Sequence, residues 1–134
     1  MSLETERKSR DYLYGRLLAI AEHIESRALY VAGEKRDTAA AKLMQRFADR
    51  PASTWRIIEL GLKPYISRLR SKRPGFMYEM EKQLDEIICG FHANDFLDDR
   101  KLSGEFLLGY HCQRQVLNPP KTDIATPLED SSAE

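Results

Sequence analysis

Apolar residues recur at helical spacing along nearly the whole chain. Leu13, Leu17, Ile20, Ile24, Ala28 and Val31 are separated by 4, 3, 4, 4 and 3 positions, the step that places side chains on one stripe of a helix. A long first helix is expected, with Gly33 as its stop. A shorter second helix is expected from Asp37 or Thr38 to about Ala48, capped by Asp37, with Ala39, Ala40, Leu43, Met44 and Phe47 turned inward. Pro51 interrupts that pattern, and a third helix opens at Ala52 or Ser53. Its inward row is Trp55, Ile58, Leu62, Ile66 and Leu69. Pro64 lies inside it, lacking a donor and crowding the carbonyl four residues back, so a kink or break is expected near residues 60–63.

Arg73-Pro74-Gly75 is the clearest turn. Beyond it Met77, Met80, Leu84, Ile87 and Phe91 step by 3, 4, 3 and 4 through a fourth helix, with Pro74 in its first turn and Gly90 at its end. After a connector, Asp98 or Asp99 is the expected cap of a last helix carrying Leu102, Phe106, Leu107, Tyr110, Val116 and Leu117, which Asn118-Pro119-Pro120 ends. β-branched alternation is nearly absent, and no Asn-Gly or Asp-Gly turn occurs. The pattern predicts an all-α fold, a helical bundle of about five helices forming one domain over residues 1–117. Residues 118–134 are polar, proline-interrupted and acidic, and are expected to be disordered.

The 134 residues are 42% apolar and 31% charged, a globular balance. The longest apolar candidate, residues 17–21, is far short of the ~20 residues that cross a bilayer. Met1 is followed by Ser2, Leu3, Glu4 and Glu6 rather than the basic and apolar regions of a secretory signal, so a cytoplasmic location without membrane attachment is expected. Two cysteines, Cys89 and Cys112, are too few for a disulfide scaffold and read as reduced thiols. Cys89 and His92 have zinc-ligand spacing, but the adjacent His111 and Cys112 point ~100° apart on a helix and do not converge on one ion. Asp95, Asp98 and Asp99 lack the glycine and terminal glutamate of a calcium loop. His23 reads as a partly exposed helix residue rather than a general base. No phosphate-binding loop, dinucleotide fingerprint, metalloprotease or serine-nucleophile motif is present. No enzymatic activity, metal or cofactor is expected.

Charge changes the picture once it is located. The chain holds 21 bases and 21 acids, a formal zero. Residues 1–73 carry 16 bases and 9 acids, or 16 − 9 = +7, and residues 74–134 carry 5 and 12, or 5 − 12 = −7. Between positions 50 and 73, Arg50, Arg56, Lys63, Arg68, Arg70, Lys72 and Arg73 meet a single acid, Glu59. Arg56, Lys63 and Arg70, seven apart, form one stripe ~21 Å long at 1.5 Å per residue. A charged outer face is what any amphipathic helix needs, but one built only for solubility interleaves signs to gain pairs four residues apart. The near absence of acids favours phosphate, bound through the backbone and with strong salt dependence. The basic stretch lacks the Asn or Gln neighbours and capped turn of a base-reading recognition helix.

Three stretches resemble one known family. They are Tyr12-Leu13-Tyr14-Gly15-Arg16-Leu17-Leu18-Ala19, Arg50-Pro51-Ala52-Ser53-Thr54-Trp55 and Leu108-Gly109-Tyr110-His111-Cys112-Gln113-Arg114-Gln115. In order and spacing, over roughly residues 11–116, they are similar to the C-terminal helical domain of the large subunit of type I-C CRISPR Cascade, which is also made separately as the small subunit. The closing motif of that family usually reads Gly-Tyr-Tyr-His-Gln-Arg, and here His111 and Cys112 stand for its Tyr-His pair. Before Pro51 the family often has Asp-Arg-Tyr-Phe, where this chain has Met44-Gln45-Arg46-Phe47. A chain of this length beginning at Met1 just before the first helix also resembles an internally initiated product.

The resemblance implies a non-catalytic helical subunit stacked along an RNA-guided complex in antiviral defence. Its implied partners are the backbone and large subunits of Cascade, a second copy of itself, the guide RNA–target DNA complex and the displaced non-target DNA strand. Since R-loop formation is nearly balanced, modest protein contacts to the DNA backbone tip it. The candidate contacts are Arg56, Lys63, Arg68, Arg70, Lys72 and Arg73, followed by Arg16 and Arg114 in the two most specific motifs, where a helix-bridging role through Asp11 or Glu105 competes. The acidic Glu79, Glu81, Asp85 and Glu86 are expected to face away from DNA or meet basic protein neighbours. A protein-only scaffold is the alternative from a different class.

Overall fold

The computed structural model describes Leu3 and residues 9–117. Six α-helices occur among them: α1 (Arg10–Ala32), α2 (Ala39–Lys42), α3 (Met44–Asp49), α4 (Pro51–Lys72), α5 (Pro74–Cys89) and α6 (Glu105–Leu117), with a 3-10 helix, Ala93–Leu97, between the last two. No strand occurs among the described residues, so the all-α bundle is the fold. The tail expected to be disordered lies outside the described residues.

α1 is the axis of the bundle. Ser9 caps it, its hydroxyl accepting from the Tyr12 amide, and Gly33 ends it at φ 74°, the left-handed conformation that suits glycine. Instead of burying one stripe, α1 is buried on every side from Tyr12 to Ala21, because α2, α4, α5 and α6 all pack against it. Around Tyr14 the rings of Phe47, Phe91 and Phe96 meet edge-on at 4.9 to 5.8 Å, joining four segments in one aromatic cluster.

The closest packing joins α1 to α6, which run in the same direction: Ser9 donates to Glu105 at 2.6 Å, and Arg16 Nε donates to Gln113 at 2.8 Å. Two glycines permit it. A Cβ on Gly15 would collide with the Phe106 carbonyl and sit 2.7 Å from the Tyr110 amide nitrogen, while one on Gly109 would collide with the Tyr12 carbonyl. All of these are backbone atoms, so only glycine lets the two helices approach this far.

Several expected boundaries shift for identifiable reasons. Thr38, not Asp37, caps the second helical segment by accepting from Ala41, and that segment is interrupted at Leu43 to give α2 and α3. Pro64 causes no break: α4 runs unbroken from Pro51, which occupies its first turn. Pro64 and Leu60 both lie on the exposed side, where water can satisfy the carbonyl that the proline leaves without a donor. Asp99 does not cap α6. Its carboxylate accepts the amide of Ser53 at 2.9 Å and that residue's hydroxyl, so it serves as the missing N-cap of α4, whose own cap position is Arg50. These hydrogen bonds hold its carboxyl below the usual range.

Candidate nucleic-acid interface

α4 and α5 form an antiparallel pair across a one-residue turn at Arg73. The inward side of α4 is Trp55, Ile58, Leu62 and Leu69, with Ile66 half-buried. All six cations expected to touch DNA, Arg56, Lys63, Arg68, Arg70, Lys72 and Arg73, are exposed. At 100° per residue the five on α4 fall in two rows, with Arg73 in the turn beyond them. Arg56, Lys63 and Arg70 line the flank beside α5, and Arg68 and Lys72 line the other. Between the rows the outermost positions include Ile57, Leu60 and Pro64, with Ile57 44% and Leu60 65% exposed.

The rows are less uniform than charge counting implies. Arg70 is paired with Glu81 of α5, and Arg56 Nη2 donates to the Phe96 carbonyl at 2.9 Å. Arg73 donates to the Lys72 carbonyl at 3.1 Å. Arg68 lies 5.8 Å from the centroid of Tyr65, within cation–π range. The side-chain ammonium groups of Lys63 and Lys72 have no protein partner among the described residues. The second row is extended by a residue outside the expected set. Arg36 donates to the Tyr65 hydroxyl and stacks on that ring at 5.9 Å, held from behind by Glu25 at 3.2 Å. A contact 29 positions apart has no local signature.

The two motif arginines are not part of this surface. Arg16 is only 5% exposed, and burial drives its pKa down. Its partner is neither Asp11 nor Glu105: it donates to Gln113, whose amide in turn donates to Gln83 of α5 at 3.2 Å. A guanidinium enclosed by three helices cannot reach a phosphate, so Arg16 leaves the candidate set as a tie between α1, α6 and α5. Arg114 is exposed, but its Nε is 3.7 Å from Glu22 and its guanidinium lies 5.6 Å from the Tyr110 ring. Tyr110 itself donates to Glu22 at 2.6 Å, so Arg114 bridges α6 to α1 through a glutamate other than those expected. Glu81 also departs from expectation, facing Arg70 across the helix pair, whereas Glu79, Asp85 and Glu86 are exposed.

Cys112 is buried, and Cys89 is exposed at the end of α5. Among the described residues no three side chains of metal-ligating type come together, and no helix is long and apolar enough to cross a membrane.

Compared with known families, residues 1–118 match the model of the CRISPR-associated protein family Csd1. The chain belongs to the Csd1 family of CRISPR-associated proteins. No curated protein matches it. In this Csd1 chain the first and last stretches that carry the resemblance face each other as the two sides of the α1–α6 contact: Gly15 opposite Phe106 and Tyr110, Gly109 opposite Tyr12, Arg16 bonded to Gln113. Those motifs therefore record how the bundle is closed, whereas the candidate cation rows lie on α4.

Proposed function

We propose that this Csd1 chain is the non-catalytic small subunit of a type I-C Cascade complex. It stacks along the guide-RNA assembly beside the backbone and large subunits and a second copy of itself, and it holds the displaced non-target strand by its phosphates. The observation that carries this reading is the outer face of α4, where Lys63, Arg68 and Lys72 stand exposed with no carboxylate among the described residues paired to them. Protein contacts of this kind need supply only a small free energy, since the RNA–DNA duplex formed is about as stable as the DNA duplex lost.

Co-expression of the tagged chain with the other proteins and guide RNA of its system is the direct test. Guide RNA should copurify with it, and in the target-bound complex the displaced strand should be shielded from a single-strand nuclease only when the chain is present. Failure to retain guide RNA, or an unchanged cleavage pattern, would overturn the proposal.

A scaffold that meets protein only is favoured by one specific feature, the exposed Ile57 and Leu60 between the cation rows. Under that reading Leu60→Asp abolishes incorporation and Lys63→Glu does not; under the DNA reading the ranking for strand protection is reversed.

A further inference from the structure

A cleft of about 220 Å³ opens at the start of the α4 cation row, where Ala52, Trp55, Arg56 and Glu59 face Ile88 of α5 and Phe96. This is below the ~300–1,000 Å³ of pockets that enclose drug-sized ligands, so it suits one small planar group. Trp55, Ile88 and Phe96 supply apolar walls. Arg56 uses one guanidinium donor on the Phe96 carbonyl, leaving four of five, and Glu59 has no partner among the described residues.

We infer that this cleft takes up one unstacked nucleobase from a strand whose phosphates lie along α4, with guanine the best match. The inference rests on the DNA-backbone reading above. Single-stranded nucleic acid is commonly held by splaying out a base, packing it on aromatic side chains and bonding its Watson–Crick edge. The guanine edge presents one acceptor, O6, followed by the donors N1–H and N2–H. A guanidinium beside a carboxylate complements that order, with Arg56 donating to O6 and Glu59 accepting from N1–H and N2–H. Thymine places a single donor between two acceptors and offers the carboxylate one hydrogen bond. Arg56 belongs to both cleft and cation row, so a captured base would fix the strand's position on α4 while target choice stays with the guide.

Trp55 is the only tryptophan in the chain and forms a wall of the cleft, so its emission reports occupancy. The full chain is titrated at low salt with oligothymidylate carrying one central guanine, one central abasic site, or no replacement. The guanine strand should change Trp55 emission and bind about tenfold more tightly than the abasic strand, within the range a good base-edge pair supplies. Glu59→Gln, on an exposed position, should reduce that preference with the salt dependence intact. Equal affinity for the three strands with unchanged emission, while binding remains salt-dependent, overturns base capture and leaves the backbone reading standing. No binding of any strand at low salt overturns both.

Discussion

Placing a methyl group between α1 and α6 should damage this protein more than its size suggests. In Gly15→Ala the new Cβ lies 2.7 Å from the Tyr110 nitrogen, against 3.4 Å for ordinary contact, so the helices must part by at least 3.4 − 2.7 = 0.7 Å. The obstructing atoms are main chain and cannot rotate aside. A gap of that size forfeits a quarter to a half of the dispersion energy of each affected contact, and overpacking of this kind costs about 1–3 kcal/mol. The better helix propensity of alanine returns less than about 1 kcal/mol. A net loss of about 2 kcal/mol is expected for Gly15→Ala and for Gly109→Ala, lowering Tm by about 6–10 °C in a chain of this size. Because both methyls push apart one interface, the double variant should lose less than the sum. Gly61→Ala is the control. It lies in α4, where a Cβ would meet nothing within 4 Å among the described residues beyond its own turn of helix, and should be neutral or stabilising by up to about 1 kcal/mol. Circular dichroism with heat and urea measures all four variants. Gly15→Ala or Gly109→Ala as stable as Gly61→Ala would refute the packing argument.

Other expectations follow from the same contacts. Arg16→Met should leave the Gln113 carbonyl without its donor and cost about 1–3 kcal/mol, yet leave DNA affinity per folded molecule unchanged; a loss of affinity comparable to that of Lys63→Glu would return Arg16 to the interface. Asp99→Ala should remove the cap of α4 at a cost of about 1 kcal/mol, read as a lower urea midpoint, with Asp99→Asn retaining part of it. Since the Asp99 carboxyl is held below its usual range by Ser53, its contribution is present above the unfolded value of about 3.9 and is lost as pH falls through the lower folded one. Tyr14 and Tyr110 are each pushed from 10.0 up to about 12, first by burial, with the Glu22 hydrogen bond adding to the shift at Tyr110. A raised tyrosine binds its proton more tightly when folded. The stability these two tyrosines contribute is therefore complete below pH 10 and declines as pH rises from 10 towards 12, which tyrosinate absorbance and ellipticity should record together and Tyr110→Phe should make less steep.

Much of the bundle was legible because its punctuation is chemical. Gly33, Pro51, Pro74 and Gly90 each fall at a helix boundary, and the row Trp55, Ile58, Leu62 and Leu69 is buried as its spacing requires. The all-round burial of α1 was harder to read from spacing, but residues 12–21 contain one charge, Arg16, in ten positions. That isolation was the available signal that Arg16 is enclosed. Pro64 misled because its penalty depends on which side of the helix it occupies, and an exposed side supplies water in place of the lost donor. On the candidate surface the identity of the cations could be read, but their partners could not. Arg70 meets Glu81 across a turn, Arg56 meets a main-chain carbonyl 40 positions away, and Arg36 joins Arg68 over Tyr65. Such contacts depend on tertiary placement.

The two findings belong together physically. A close α1–α6 contact, tied to α5 through Gln113 and Gln83, fixes the frame against which α4 presents its outer face, so the main-chain positions that carry the α4 cations are set by the bundle itself. Preorganisation of that kind limits the entropy lost on binding. The most direct measurement is the slope of log affinity against log salt for a single-stranded or guide-opened DNA, compared between the native chain and a Lys63→Glu, Arg68→Glu, Lys72→Glu variant of unchanged helicity. Each phosphate contact on a single strand contributes about −0.7 to the slope. Loss of three contacts should make it shallower by about 2 and weaken binding most at low salt. An identical slope and affinity in the triple variant would contradict the assignment of this face of α4 to DNA.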